Sequence, residues 1–436
     1  MNHAADKTDD NTATTLASRV QNAVNGERLN ARIAELAAFG GRSDGGVARE
    51  TLTPLDLEAR RHLIDHARAL GCAVFTDPCG NLFFRRAGQA DLPPMLTGSH
   101  IDTQPVGGKL DGAYGVVAGL EVIEALNDAG VATKRPVEVV VWTNEEGSRF
   151  GPGAMGSSAF AMPERLAHYR ASRDAAGVTF GAALDAALAA VPDVEQRALR
   201  QPVDSCVELH IEQGPVLEDA HVPLGVVTGI QSVRWFNVTV SGAAAHAGTT
   251  PMDVRRDAMR AAIELAGRLY AWADAARGRG LRLTLGRWRV APNSINTIPG
   301  EVEFTVDVRC VDEDVLAEFE AALRAATAAL DTNDGFGVQV ENVFARATTH
   351  FPAPLLEVIE RACTRAAVNA GEAPPLRLTS GAFHDAMYVA DLCPTAMIFV
   401  PSRAGISHNA AEYTEPRQLH LGAQALAHAV AELACR

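Results

Sequence analysis

Apolar residues in this chain follow two alternating patterns. Long segments repeat them at three- and four-residue steps, as one face of a helix requires, and short segments run them together, as a strand buried on both faces requires. Arg19 to Phe39 has the helical period and stops at Gly40-Gly41; Thr53-Pro54 opens a second helix that closes at Gly71. Cys72 to Phe75 and Asn81 to Arg85 are short strands around the turn Asp77-Pro78-Cys79-Gly80. Pro93 to Gly98 and Val137 to Trp142 are buried strands. Gly115 to Gly130, between them, is apolar over most of its surface and is expected to be a buried helix. Leu166 to Leu199 is Ala-rich and expected to be largely helical, and Ser205 to Ile211 is another strand. Strand and helix alternating in this way indicate an α/β layer structure.

Near Gly225 the pattern changes. Arg234 to Ser241 is a strand, and Asp253 to Ala276 a long helix entered through Thr250-Pro251. Arg282 to Val290 and Glu301 to Val308 are strands, Glu313 to Leu330 a helix and Gly337 to Phe344 a strand. That order, βαββαβ, is ferredoxin-like. The α/β pattern then returns, with a helix from Pro354 to Ala370, a loop around Gly381 to Asp385, a strand from Ala396 to Val400 and a last helix from Gln418 to Cys435. The expected fold is therefore a split α/β domain, residues 19–225 and 346–436, with a mixed and largely parallel sheet flanked by helices. A ferredoxin-like α+β domain, 226–345, is inserted in it, and residues 1–18 form a disordered lead-in.

A chain of 436 residues exceeds one ordinary core, which agrees with two domains. Its net charge of -14 argues against nucleic acid or an anionic membrane as partner, since both select basic patches. No apolar run approaches the length of a membrane helix, and the polar start, Met1 to Thr15, lacks the apolar centre of a signal peptide. The seven cysteines are scattered, odd in number and form no CxxC, so reduced thiols in a cytoplasmic protein are the simplest reading. There is no P-loop, no well-placed GxGxxG and no Gly-x-Ser-x-Gly elbow, so nucleotide binding and serine hydrolysis have no support.

The chemistry-bearing residues gather where the strands end. His100 follows the strand at Leu96 and shares its loop with Asp102; Asp111 comes soon after, among Gly107, Gly108 and Gly112. A His with carboxylates at the mouth of a sheet suits a divalent metal, although His100 alone would read as an ordinary loop histidine. Glu145 and Glu146 follow the strand at Val137. Such a pair is usually a solvated acidic loop, but here one carboxylate can bind metal while the other moves a proton. Glu208, His210 and Glu212 share one face of their strand, which is costly in a core unless they meet an ion or partners, and ordinary on a solvent-facing edge. His408, with Glu412 nearby, is weak alone. In the insert, His246 lies among small residues before a helix start and can point a donor at an oxyanion, or be a structural loop His. Asn296 and Arg309 could bind a carboxylate; Arg309 is equally a salt-bridge partner on a strand.

Taken together, Gly98 to Thr103, Gly107 to Gly112, Thr143 to Phe150, Glu208 to Pro215, His246 to Met252 and Ser407 to Asn409 resemble, in order, the hydantoinase/carbamoylase family of amidases. That family is related to the aminoacylase-type dinuclear metallopeptidases. The resemblance implies two divalent metal ions per subunit (Zn2+, or Mn2+, Co2+ or Ni2+). His100 and His210 would hold one and Glu146 and His408 the other, with Asp111 bridging. It implies Glu145 as general base and Asp102 as the residue orienting His100. His246 would stabilise the oxyanion, Asn296 and Arg309 would hold the substrate carboxylate, Gln213 would contact the carbamoyl end, and Gly381 and His384 would line the pocket. The insert would be a lid and the interface of a homodimer.

The expected activity is hydrolysis of the carbamoyl (ureido) C–N bond of an N-carbamoyl-L-amino acid, a small-molecule ureido acid, with no nucleic-acid or membrane partner. Allantoate amidohydrolase and β-ureidopropionase are the neighbouring alternatives, and a dipeptidase or aminoacylase a more distant one. From a different class, an idle metal-binding homologue has no need of Glu145 beside the metal, and an interaction protein has no need of polar residues converging on one sheet edge.

Overall fold

The computed structural model describes residues 2–334 and 336–436. Backbone packing divides them into two units, residues 1–229 with 351–436, and residues 230–350. The first begins with α1 (Asn2–Ala23), α2 (Gly26–Ala38), α3 (Pro54–Ala69), β1 (Ala73–Thr76), β2 (Leu82–Arg86) and β3 (Met95–His100). It continues through α4 (Ala113–Asp128), β4 (Val137–Trp142), α5 (Met155–Ala161), α6 (Arg165–Tyr169), α7 (Phe180–Ala189), β5 (Glu195–Gln196), β6 (Ser205–Ile211), α8 (Val216–Asp219) and β7 (Gly225–Ile230). The second unit carries β8 (Ser232–Ser241), β9 (Ala245–His246), α9 (Ala258–Ala275), β10 (Arg282–Thr284), β11 (Trp288–Ala291), β12 (Thr297–Ile298), β13 (Glu301–Cys310), α10 (Glu313–Asp334), β14 (Gly337–Arg346) and β15 (Thr349–His350). The first unit resumes with α11 (Ala353–Asn369), β16 (Leu376–Ser380), α12 (Ala386–Val389), β17 (Thr395–Val400) and α13 (Pro416–Cys435).

The sheet of the first unit runs β7-β17-β6-β3-β4-β2-β1-β5, with β16 also on β7. Its centre is parallel, because β3 pairs in parallel with both β4 and β6, and β6 with β17; β2 and β7 run antiparallel to their neighbours. Every residue of β3, β4, β6 and β17 is buried, as strands covered on both faces must be. On one face α4 lies against β3 and β6 and is covered in turn by α2 and α13, which is why it is apolar nearly all round. On the other face Phe160 of α5 packs on Phe83 and Trp142, with ring centroids 5.6 and 5.4 Å apart. Gly98, at φ +131°, lets β3 pass β4 closely: a Cβ there would stand 2.1 Å from the Val140 carbonyl oxygen.

The insert is an antiparallel sheet in the order β10-β13-β8-β14, with β11 also on β13 and the two-residue strands β9 and β12 paired separately. Burial alternates strictly along β13, and its inward residues Val302, Phe304, Val306 and Val308 meet Leu265 of α9 and Phe319 of α10.

Several expectations are corrected. The stretch read as a disordered lead-in lies in α1, where Ala13, Ala17 and Val20 form a buried helical stripe and α1 packs on α13. The single helix expected from Arg19 to Phe39 is two, because Asn25 ends one and caps the next by accepting from the Glu27 and Arg28 amides. The Ala-rich stretch is largely non-helical outside α6 and α7, whose N-cap is Thr179. In the insert, Pro251 opens only a 3-10 turn, and α9 starts at an Asp257 cap. The seam near residue 225 falls after β7 instead, since β7 pairs with β17 in the first unit's sheet.

Candidate functional site

Parallel pairing brings the carboxyl ends of β3, β4 and β6 to one edge, where open α/β sheets place ligands. His100 ends β3, His210 lies near the end of β6, and Glu145-Glu146 leave β4 within a few residues. Asp111 stands among them. Its Oδ1 lies 3.2 Å from His210 Nε2 and 3.9 Å from His100 Nε2, while its Oδ2 lies 3.1 Å from His408 Nε2. His408 Nε2 is in turn 3.5 Å from Glu146 Oε2. Two donor sets therefore share one carboxylate: His100, Asp111 and His210, all buried, and Asp111, Glu146 and His408, which open toward solvent.

The histidines are oriented by backbone. His100 Nδ1 is 2.9 Å from the Asp102 carbonyl oxygen and His210 Nδ1 is 2.9 Å from that of Ile211. Each carbonyl accepts an N–H from Nδ1, which turns Nε2 of both rings toward Asp111. Gly112, at φ +63°, makes room for this, because a Cβ there would meet the His100 ring at 2.3 Å. The Asp102 carboxylate has a different role from the one expected. It is 3.8 Å from His100 Nδ1 and instead accepts from the amides of Glu145 and Glu146, both at 3.2 Å. It thus orients His100 through its carbonyl and presents the Glu-Glu pair through its side chain.

The electrostatics call for positive charge at this point. Burial pulls the His210 imidazole down, but the Asp111 carboxylate outweighs it and holds it at about 9. Asp111 likewise raises His408 to about 9. Burial leaves His100 at about 4. Burial and then Asp111 push Glu146 to about 8. Burial, then Asp385 and Glu146, hold Glu145 well above the ordinary carboxylate range. Nitrogen and oxygen donors with an anion between them fit a divalent cation such as zinc, which would compete with protons for the same atoms.

Other residues complete the surroundings. Gln104 Nε2 donates to Glu146 Oε2 at 2.7 Å. Glu412 accepts from the Leu110 and Asp111 amides at 2.8 and 3.2 Å and from Ser407 Oγ at 3.0 Å, fixing the Asp111 loop. Gln213, at φ +58°, points its amide at Asp111 Oδ2, 2.9 Å away, and at Ser407 Oγ. His384 packs edge-on against His210, with centroids 4.6 Å apart, and its Nε2 is bonded to Ser380 Oγ. Glu208, His210 and His384 are also close enough to hold an ion. Glu208 accepts from Ser99 Oγ and the Ala386 amide, which ties it to β3 and to the start of α12. Glu212 caps α8, accepting from the Val216 and Leu217 amides. Gly381 is exposed, at the end of β16.

Three candidates belong to the insert. His246 is exposed, and its Nδ1 accepts from the Gly248 and Thr249 amides, which leaves Nε2 to act as a donor. Asn296 is exposed, and its Oδ1 accepts from Ser294 Oγ. Arg309 grips Asp307 with two bonds of 2.9 and 2.8 Å.

Gln104, Ser157 and Asp385 carry no signal in the sequence. Gln104 bonds to Glu146, and Ser157 to Asp385, each across a long stretch of chain, and no local period marks such a residue. Glu412 is marked in the sequence only by its closeness to His408.

The model of peptidase family M20/M25/M40 matches residues 96–432. An N-carbamoyl-L-amino acid amidohydrolase of Geobacillus stearothermophilus is 40% identical over 420 residues, covering 94% of this chain and 99% of that one. An allantoate amidohydrolase of Bacillus subtilis is 35% identical, covering 92% of this chain and 95% of that one. Among solved structures, a hydantoinase/carbamoylase family amidase from Burkholderia vietnamiensis superposes with a TM-score of 0.85 at 42% identity, covering 95% of this chain and 98% of that one.

Proposed function

The chain belongs to peptidase family M20/M25/M40, among its hydantoinase/carbamoylase amidases, and is a metal-dependent amidohydrolase; from that premise we propose that it hydrolyses N-carbamoyl-L-amino acids. Water and the ureido group give the amino acid, CO2 and ammonia. The observation that carries the reading is the shared carboxylate, Asp111 Oδ1 turned to His100 and His210 and Oδ2 to His408, with Glu145 Oε2 3.5 Å from His100 Nε2.

His100, His210 and Asp111 would hold one divalent ion, and Asp111, Glu146 and His408 a second. A cation bound there supplies Lewis acidity, acidifying a water and polarising a carbonyl. Glu145 takes the proton of the attacking water and passes it to the departing nitrogen. The Asp102 side chain holds the Glu145 and Glu146 amides, and the Asp102 carbonyl sets the His100 ring. His246 would donate to the developing oxyanion, Asn296 and Arg309 would take the substrate carboxylate, Gln213 would meet the carbamoyl end, and Gly381 and His384 would line the pocket. A homodimer assembled through the insert is part of the same reading.

The experiment is ammonia release by the zinc- or manganese-loaded protein against N-carbamoyl-L-amino acids, N-carbamoyl-β-alanine and allantoate, with dipeptides followed by amine release. Turnover of an N-carbamoyl-L-amino acid is expected. Allantoate as the sole substrate would move the assignment to the activity of the Bacillus subtilis relative, and dipeptides alone would overturn the ureido reading.

Arg309 has its own test. Truncating one member of a charge pair costs about 2 kcal/mol or more, so Arg309→Ala should raise KM for an acid substrate roughly thirtyfold, with metal content unchanged. An unchanged KM would leave Arg309 as the partner of Asp307 alone.

A further inference from the structure

Behind the site, buried polar groups form one connected path. Ser99 of β3, next to His100, donates to Glu208 Oε1 at 2.7 Å, and Glu208 Oε2 accepts from the Ala386 amide at 3.2 Å. Asp385 precedes Ala386, is wholly buried, and accepts from Ser157 Oγ through Oδ1. Ser157 stands on α5, and the residues that open α5 close the turn after β4. Ala154, Met155 and Gly156 donate to the carbonyls of Glu145, Asn144 and Thr143 at 2.8, 3.2 and 2.8 Å. That turn is under constraint already, with Asn144 at φ +59° and Ala154 at φ +49°. The second Asp385 oxygen, Oδ2, is buried beside Oδ1.

We propose that Asp385 is a positioning residue for Glu145: through its bond to Ser157 it fixes the turn from Thr143 to Gly156, and so sets where the base stands. The inference rests on Glu145 being the base. Ser157 and Asp385 are 228 residues apart, so the bond joins segments that chain connectivity leaves independent.

The test uses the full chain and two readouts. A small displacement of a catalytic group costs up to about a hundredfold, so Asp385→Ala should lower kcat roughly ten- to hundredfold, with KM and metal content unchanged. Amide hydrogen exchange over residues 143–157 should rise in the same variant, and Asp385→Asn, which still accepts from Ser157, should restore both. Normal exchange and normal kcat in Asp385→Ala, or an Asn variant as impaired as the Ala variant, would overturn the proposal. If Asp385→Ala does not fold, Ser157→Ala removes the same bond from the other side and must give the same two changes. The exchange readout needs no turnover. It judges the clamp even if Glu145→Gln stays active and removes the base assignment, while an inactive Glu145→Gln beside a normal Asp385→Ala removes only the clamp.

Discussion

Glu145→Gln is expected to lower kcat by roughly a thousandfold while the protein keeps its metal, the scale of losing a positioned general base. The amide has the shape of the carboxyl and cannot accept the proton of an attacking water. What holds residue 145 in place survives the change: its backbone amide still reaches Asp102, and its carbonyl still accepts from Ala154. Nor does the side chain belong to either donor set around Asp111. Turnover should therefore fall with metal content constant, as steady-state rates beside metal analysis of the same sample would show. Unimpaired turnover would exclude Glu145 as base. Glu146, the remaining acid of the pair, is engaged by Gln104 and close to His408, and is poorly placed to substitute.

The individual site residues were legible because sequence places them just past buried strands, and parallel pairing turns that regularity into proximity. His210 shows the gain. Its polar stripe suited either a core with partners or a wet edge, and β6 proves to be central and fully buried. Glu208 from the same stripe supports the site, whereas Glu212, just past the strand end, caps a helix. His408 was weak from sequence because nothing local to it shows that Ser407 and Glu412 reach back to Asp111 and its loop. Ser157 with Asp385 is the extreme case, two residues unremarkable in their own stretches. The fold was misread where apolar signal was faint or punctuation ambiguous. The α1 stripe is made of Ala and Val in a polar segment, and Thr250-Pro251 resembles a helix entry that Asp257 in fact provides.

Asp111→Asn is expected to cost the protein its metal and, with it, turnover. The wild-type carboxylate turns one oxygen to each donor set, so a single substitution strikes both. An amide keeps the volume but lacks the negative charge, and one of its two ends becomes a donor that repels a cation. Metal retained after gel filtration should drop at both positions, whereas loss at one alone would show that Asp111 does not bridge. The metal-free chain offers an independent check through stability. Asp111 holds the buried His210 imidazole at about 9, above its unfolded value near 6.5, so this pairing stabilises the fold fully below the unfolded value. It is lost as pH rises through about 9. Wild type should thus unfold at higher temperature than Asp111→Asn at neutral pH, and the gap should close as pH passes that point. A gap constant across the alkaline range would mean that the carboxylate acts through its hydrogen bonds to Gln213 and Ser407 and not through the charge it places beside His210 and His408.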